Sequence, residues 1–281
     1  MDAAQKNALK ITATKVRMGI IEGTFNAKSG HPGGSLSMTD VITYIYSIMN
    51  IDPKNPKMED RDRFVLSKGH AAPGLYAILA EKGFFCKEEI KKLRKTGAML
   101  QGHPDMKGTP GVDMSTGSLG QGISVAVGMA LSAQLSNKSY NVFTILGDGE
   151  IQEGQVWEAA MFAAQKKLGN LIAVVDNNNL QIDGKIDEIV SPYPIKEKFE
   201  AFGWHVIEIN GHCFNEIEAA FNEALKVTDK PVCIVSKSVK GKGVSFMEDK
   251  CEWHGSAPNK EQYDIAMAEL SAKLTELGGT L

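Results

Sequence analysis

Two clusters of polar residues have the types and spacing to hold a divalent cation and a phosphorylated ligand. The run Gly147-Asp148-Gly149-Glu150 follows the apolar, β-branched segment 141–146, and Asn177-Asn178-Asn179 follows a second such segment, 170–175. Both clusters are therefore predicted where buried strands end. Mg²⁺ prefers near-octahedral coordination by carboxylate, amide, backbone carbonyl and phosphate oxygens. Asp148 and the Asn178 side chain meet that requirement, so the sequence predicts a magnesium and diphosphate site.

Each cluster alone is weak evidence for such a site. Gly-Asp-Gly is often just a tight turn, and asparagines after a strand often form a solvated turn. Here, however, a helical pattern over residues 155–167 separates them, which predicts a strand–helix–strand unit. In an open parallel sheet that unit brings both loops to the carboxyl edge, where ligands bind. Gly147 and Gly149 would let the main chain approach phosphate oxygens, and the following helix would direct its positive end toward the anion.

The composition favours a small-molecule ligand. The chain has 281 residues, 43% of them hydrophobic, which is enough for a large α/β core. Its net charge is -3 with acids and bases interspersed, so we expect neither nucleic-acid binding nor membrane attachment, and no apolar run reaches membrane-spanning length. The four cysteines include no Cys-x-x-Cys pair, which argues against zinc and a disulfide scaffold and predicts reduced thiols in the cytoplasm.

The elements that must position these residues form one α/β domain over residues 1–281, with a doubly wound, mostly parallel sheet covered by helices on both faces. Helices are predicted over residues 3–26, 38–49, 71–80, 87–95, 121–135, 155–167, 215–226 and 261–277. Strands are predicted over residues 64–66, 141–146, 170–175, 204–209 and 231–236. Residues 29–37 and 101–111 are predicted as loops rich in glycine.

Six ordered motifs resemble those of transketolases. They are Ser29-Gly30-His31-Pro32-Gly33-Gly34, Leu66-Ser67-Lys68-Gly69-His70-Ala71, Gly102-His103-Pro104, Thr116-Gly117-Ser118-Leu119-Gly120-Gln121-Gly122, the Gly147 motif and Trp253-His254-Gly255. The resemblance runs from end to end of the chain, and the fixed order of six motifs makes coincidence implausible. It implies binding of thiamine diphosphate and Mg²⁺, with Ca²⁺ or Mn²⁺ able to substitute. It also implies transfer of a two-carbon ketol unit from a ketose phosphate to an aldose phosphate.

The resemblance assigns roles to individual residues. The implied metal ligands are Asp148, Asn178 and the main-chain carbonyl of Leu180. The implied catalytic residues are four histidines, with His70 and His254 at the diphosphate and the reacting centre and His31 and His103 on the donor sugar's hydroxyls. The implied cofactor contacts are His70, Gly117, Leu119, Gly149, Glu150, Asn178, Ile182, Lys240 and His254, together with Glu153 and Glu158 at the subunit interface near the aminopyrimidine.

Two places leave alternatives open. Lys240 and Lys242 follow a predicted strand and could equally be solvated charges at its end. Gly33 and Gly34 stand where some relatives carry larger polar residues that touch the cofactor or substrate. The preferred donor sugar is therefore undecided.

The resemblance also implies a partner. The glutamate that activates the cofactor in transketolases belongs to a second, pyrimidine-binding domain, and this chain ends at Leu281, after the first domain. We therefore expect the N-terminal subunit of a split transketolase, active only with a C-terminal partner subunit that supplies the pyrimidine-binding and C-terminal domains and the activating glutamate. A heterotetramer of two small and two partner subunits is the expected assembly. The helix over residues 121–135 and the helix after Glu153 are the expected contact faces.

Three other functions share part of this pattern. The diphosphate-binding subunit of a thiamine-dependent 2-oxo acid dehydrogenase or decarboxylase has the magnesium motif but lacks the four histidines. Deoxyxylulose phosphate synthase is a nearer rival, which would decarboxylate pyruvate instead of cleaving xylulose phosphate. A binding or regulatory remnant that keeps its metal site is the non-enzymatic alternative, and such a remnant would have no catalytic partner.

Overall fold

The computed structural model describes residues 1–182 and 184–280. Its strands are β1 (Arg63–Leu66), β2 (Val142–Gly147), β3 (Leu171–Asn177), β4 (Leu180–Gln181), β5 (Gly184–Lys185), β6 (His205–Asn210) and β7 (Val232–Lys237). Its α-helices are α1 (Ala3–Ala27), α2 (Pro32–Ser37), α3 (Thr39–Ile48), α4 (Ala72–Glu81), α5 (Gln121–Leu135), α6 (Gly154–Gln165), α7 (Ile186–Ile189), α8 (Ile195–Ala201), α9 (Phe214–Ala224) and α10 (Lys260–Glu276). Within the described residues, no helix is both long enough and apolar enough to cross a bilayer.

A five-stranded parallel sheet organises the chain. The strands lie in the order β1-β2-β3-β7-β6, while β4 and β5 form a separate antiparallel pair. The register places Gly147 at the end of β2 beside Asp176 near the end of β3, and Asp176 beside Ser236 of β7. The carboxyl ends of β2, β3 and β7 therefore meet at one edge, and the predicted α/β fold is confirmed.

Alternate residues of each central strand enter two different hydrophobic cores. On β3, Ile172 and Val174 pack into the core formed with α1, α3, α4, α9 and α10. Ala173 and Val175 face the other side, in the core formed with α5, α6 and α8. All seven residues of β3 are buried. Helices on both faces explain why its sequence is continuously apolar until Asp176.

Two predicted elements differ in the structure. Residues 32–37, predicted as part of a loop, form helix α2, which begins with Pro32 and is buried along its whole length. Proline suits the first position of a helix, and close packing of α2 against α4 accommodates the two glycines that suggested a loop. Residues 87–92 form a 3₁₀ helix in place of an α-helix, and only Ile90 in it is buried. So small an apolar face provides little tertiary stabilisation for a longer helix.

Candidate active site

A cleft lies at the carboxyl edge of the sheet. Helix α2, the turn after β1, the ends of β2 and β3 and the loops after β7 contribute to it. Its lining residues are Gly34, Lys68, His70, Leu119, Gly147, Asp148, Gly149, Glu150, Asn178, Leu180, Gln181, Ile182, Lys240 and His254. Both polar clusters predicted from the sequence therefore line the same cavity.

Asp148 is held rigidly at the end of β2. One carboxylate oxygen accepts from Gly149 N at 2.9 Å, and the other accepts from Asn179 N at 2.7 Å and Asn177 Nδ2 at 3.1 Å. Burial, with the neighbouring Asp176 carboxylate, raises the pKa of Asp148 to about 6. A divalent cation in this place would offset the cost of that buried charge.

Asn178 and Leu180 add neutral oxygen donors to the same wall of the cleft. Asn178 Oδ1 accepts from Leu180 N at 3.1 Å, and Asn178 Nδ2 donates to Asp176 at 3.3 Å, which fixes the amide orientation. In residues 1–182 and 184–280, no three His, Cys, Asp or Glu side chains gather as a metal site. One carboxylate, one amide oxygen and one main-chain carbonyl nevertheless form a donor set that suits Mg²⁺.

A buried ion pair beneath the cleft was missed by the sequence analysis. Lys68 Nζ lies 2.5 Å from Asp176 Oδ2 and 2.8 Å from the Gly34 carbonyl, and both charged side chains are 2% exposed. Ser37 and Ser238 also donate to Asp176. Although burial opposes ionisation, Lys68 lowers the pKa of Asp176. The sequence feature that could have revealed this pair is Asp176, a charged residue near the end of the otherwise apolar strand β3.

Three of the predicted catalytic histidines form a triangle at the cleft. The ring centroids of His31 and His70 are 5.2 Å apart, and His254 lies 5.3 Å from each. Burial is the main cause of their lowered pKa values, about 4 for His31 and His254 and well below the usual range for His70. All three rings are therefore neutral at pH 7, so each can both donate and accept one hydrogen bond.

Lys240 is fully buried, which rules out the alternative that it is a solvated charge at the end of a strand. Its Nζ lies 3.2 Å from the Leu180 carbonyl and 3.0 Å from His254 Nδ1. Burial lowers the pKa of its ammonium to about 8, against the opposing effect of Asp148. Lys242, by contrast, is partly exposed and pairs with Glu248 at 3.1 Å. The Lys68 charge is already paired with Asp176, whereas Lys240 contacts neutral acceptors, so Lys240 is the cation of this lining that can favour an anionic ligand.

Glu150 lines the cleft, but its carboxylate holds the surrounding main chain. One oxygen accepts from Ser67 Oγ at 2.5 Å and Gly120 N at 3.0 Å, and the other from Gly147 N at 3.0 Å. Glu150 therefore joins the turn after β1, the loop before α5 and the end of β2. A short 3₁₀ turn over residues 150–152 also separates the Gly147 motif from the start of α6.

Leu119, Gly149 and Ile182 also lie on the lining, and Ile182 is 58% exposed. The remaining predicted site residues are not part of the lining, namely His31, Gly117, His103, Glu153 and Glu158. His103 is exposed, and its ring is packed so closely that a Cβ on Gly117 would come within 3.3 Å of it. Glu153 and Glu158 are exposed near the start of α6, with the Glu153 side chain beside Gly120.

Arg94 is a further charged residue near the histidines. Its backbone adopts the left-handed conformation, with φ of 61°. Its guanidinium packs against Gly102 and donates to the Gly102 carbonyl at 3.3 Å, and its charge contributes to the lowered pKa values of His31 and His103. No sequence pattern marked this position.

Most of the chain matches one known protein family. Residues 9–273 match the family described as transketolase, thiamine diphosphate binding domain. The chain belongs to the transketolase family. It therefore carries the thiamine diphosphate-binding domain of these transferases, and the resemblance seen in its motifs is confirmed.

Two similar relatives have nearly the same length as this chain. The 6-deoxy-6-sulfo-D-fructose transketolase subunit SqwG of a Clostridium species is 47% identical over 95% of this chain and 97% of its own length. An apulose-4-phosphate transketolase subunit of Phocaeicola vulgatus is 41% identical over 97% of each. This transketolase chain therefore has nearly the same length as relatives that are named as transketolase subunits.

Full-length relatives are more than twice as long. Human transketolase is 40% identical over 97% of this chain, which covers 44% of the human protein. The crystal structure of the Campylobacter jejuni transketolase superposes with a TM-score of 0.90 at 32% identity, over 99% of this chain and 46% of that one. The transketolase fold is thus retained in a chain that spans less than half of these enzymes.

Proposed function

We propose that this chain is the N-terminal subunit of a split transketolase that transfers a two-carbon ketol unit from a ketose phosphate to an aldose phosphate. The observation that carries the proposal is the convergence of Asp148, Asn178 and Leu180 with the histidine triangle around one cleft. Oxygen donors for a metal and neutral imidazoles for a sugar are two of the requirements of this chemistry.

Different residues of the chain would bind the metal ion and the diphosphate of the cofactor. Asp148, Asn178 and the Leu180 carbonyl would bind Mg²⁺, and Lys240 would supply positive charge for the diphosphate. When bound, thiamine diphosphate supplies a carbanion and an electron sink for the ketol fragment. The apolar side chain of Ile182 would lie against the thiazolium.

The histidines would act on the sugar. Neutral His31 and His70 can accept a hydroxyl proton with one ring nitrogen and donate with the other. His254 is oriented by Lys240, which donates to its Nδ1 and leaves Nε2 for the substrate. His103 lies outside the lining, but its charge acts on His31, so it would bind a donor hydroxyl beside that ring.

A C-terminal partner subunit would complete the site. We infer that it supplies the pyrimidine-binding domain and the activating glutamate, in a heterotetramer of two chains of each kind. Large apolar side chains exposed on α6 and in the segment after β3 support this inference. They are Met161 and Phe162 on α6 and Ile182, Ile189, Val190 and Tyr193 after β3. Exposed Glu153 and Glu158 lie at the start of the same helix α6.

A sulfonated ketose is a second candidate donor. The relative that is 47% identical is named for 6-deoxy-6-sulfo-D-fructose, and the relative that is 41% identical is named for apulose 4-phosphate. Both names describe a ketose with a terminal anionic group. Assays should therefore compare xylulose 5-phosphate, apulose 4-phosphate and the sulfonated ketose.

The decisive experiment identifies the partner and reconstitutes the pair. A tagged chain is used for affinity capture with mass spectrometry, and the captured subunit is then expressed and mixed with this one. We expect ketol transfer to ribose 5-phosphate only when both subunits, thiamine diphosphate and Mg²⁺ are present.

Three results would contradict parts of the proposal. Transfer by this chain alone would refute partner dependence. Pyruvate decarboxylation without ketol transfer would favour the deoxyxylulose phosphate synthase class. Capture of no catalytic partner would favour a binding remnant.

A further inference from the structure

A cluster of buried charged side chains lies outside the cleft and reaches it through one loop. Arg17 of α1 forms two hydrogen bonds with Asp40 of α3, at 3.0 and 2.6 Å. His212, in the turn after β6, places Nδ1 2.8 Å from Asp40 Oδ2. Burial raises the pKa of Asp40, but the Arg17 charge and the hydrogen bond with His212 outweigh it and lower that pKa to about 2. Asp40 is therefore ionised in the folded chain.

The position of His212 defines its tautomer. The main-chain N–H of Val239 lies 2.9 Å from His212 Nε2. An amide N–H can only donate, so Nε2 must carry the lone pair and Nδ1 the proton. Nδ1 then donates to the Asp40 carboxylate. The result is a continuous path of hydrogen bonds from Arg17 through Asp40 and His212 to the main chain of Val239.

Val239 immediately precedes Lys240, and main-chain groups before and after Lys240 are held from outside the loop. Arg17 Nε donates to the Lys242 carbonyl at 3.0 Å, and Gly241 N donates to the Gly33 carbonyl at 3.0 Å. The cluster thus holds the main chain before and after a fully buried lysine. The Lys240 ammonium reaches the Leu180 carbonyl and His254.

We propose that His212 is a positioning residue for Lys240, acting through its hydrogen bond with Val239, with Asp40 and Arg17 holding the imidazole in the required tautomer. The proposal rests on the role given above to Lys240 in the cofactor site. It gives His212 an indirect part in that site, although no sequence motif marked this histidine.

Two substitutions separate the contacts of His212. In H212N the side-chain amide can reach the Nδ1 position and bond to Asp40, but it is too short to accept from Val239. In H212Q the amide oxygen can reach the Nε2 position and accept from Val239. The matched control is H205N, because His205 begins β6, the strand that precedes His212, is partly exposed and bonds to Glu223 at 2.7 Å.

The first readout is amide hydrogen exchange of residues 238–243 in the full chain, which requires neither partner nor activity. We expect the Val239 amide to exchange about fivefold faster in H212N, the change that corresponds to the loss of one ordinary hydrogen bond. H212Q should retain most of the protection, and H205N should match the wild type.

The second readout is thiamine diphosphate binding by the reconstituted pair with Mg²⁺. We expect H212N to raise the cofactor's KM about tenfold while kcat at saturating cofactor stays near that of H205N. Equal exchange in H212N and H205N, or equal loss in H212N and H212Q, would overturn the proposal. If H212N does not fold, loss of Val239 protection in H212Q overturns it and retention supports it.

The two proposals fail in different ways. Faster exchange in H212N with unchanged cofactor affinity would overturn the role of His212 and leave the transketolase proposal intact. A wild-type pair without ketol transfer would refute the transketolase proposal, whereas the exchange measurements would still report whether His212 holds the loop.

Discussion

Asp148 should lower the stability of the chain in the absence of metal, so replacing it by asparagine should stabilise the metal-free protein. The carboxyl has an ordinary pKa of 3.8, which burial raises to about 6 in the folded chain. Between these values the folded chain binds more protons than the unfolded chain. Stability therefore falls as pH rises from about 4 to about 6, and the full cost persists above pH 6.

The size of this effect follows from the two pKa values and the local hydrogen bonds. The difference between 3.8 and about 6 corresponds to a cost of about 3 kcal/mol. Asparagine keeps one acceptor oxygen, which can serve Asn179 N and Asn177, but its amide nitrogen would face Gly149 N. Losing that one hydrogen bond costs about 1 kcal/mol. The net gain for D148N is about 2 kcal/mol.

Thermal unfolding at pH 8 with a chelator measures the gain. For 281 residues, about 2 kcal/mol corresponds to an increase in Tm of roughly 4 °C. At pH 4 the gain should disappear, because the folded wild-type carboxyl is then protonated and D148N keeps only the loss of one hydrogen bond. Mg²⁺ with thiamine diphosphate should raise the Tm of the wild-type reconstituted pair and not that of the D148N pair.

Two outcomes would refute this reasoning. A D148N chain that melts below the wild type at pH 8 without metal would show that the buried carboxylate carries no such cost. An equal increase in Tm on adding Mg²⁺ and cofactor to both reconstituted pairs would show that Asp148 is not a metal ligand.

Further substitutions test the rest of the site. K68M should lower the free energy of unfolding by about 3 to 5 kcal/mol in urea titrations, because it leaves the buried Asp176 carboxylate unpaired; a loss below about 1 kcal/mol would contradict this. G33A should lower the free energy of unfolding by about 1 to 3 kcal/mol, because its Cβ would lie 2.8 Å from the Trp253 carbonyl oxygen. G34A is the control, because its Cβ would meet no atom closer than 3.6 Å and should not destabilise the chain. Equal thermal melts of the two variants would refute the argument. H103A should raise the donor KM of the reconstituted pair and spare cofactor affinity, which steady-state kinetics would check; weakened cofactor binding would place His103 elsewhere.

The parallel sheet and the position of the candidate cleft at its carboxyl edge could be predicted from the sequence alone. Continuous apolar runs ending at Gly147 and at the Asn177 cluster marked strands that are buried on both faces. Carboxyl ends of adjacent parallel strands meet at one edge, so Asp148 and Asn178 had to lie close together. The helix over residues 121–135 was also predicted to the residue.

The local sequence pattern predicted secondary structure less well in two segments where tertiary packing decides the backbone conformation. The glycines of α2 suggested a loop, yet burial against α4 makes the segment helical. The charged 87–92 segment has helical composition but buries only Ile90 and forms a 3₁₀ turn. In both segments the amount of buried surface, which depends on neighbours distant in sequence, decided the backbone conformation.

The sequence was sufficient to predict candidate oxygen donors at two strand ends and to identify the histidine motifs and the family they indicate, because these depend on residue type and short spacing. The charge pairs required the folded chain. Lys68 meets Asp176 only because β1, β2 and β3 are neighbours, and His212 holds the Lys240 loop only because β6 lies beside β7. Strand order and register bring together side chains far apart in sequence, and burial then sets their pKa values, so no local pattern could reveal either.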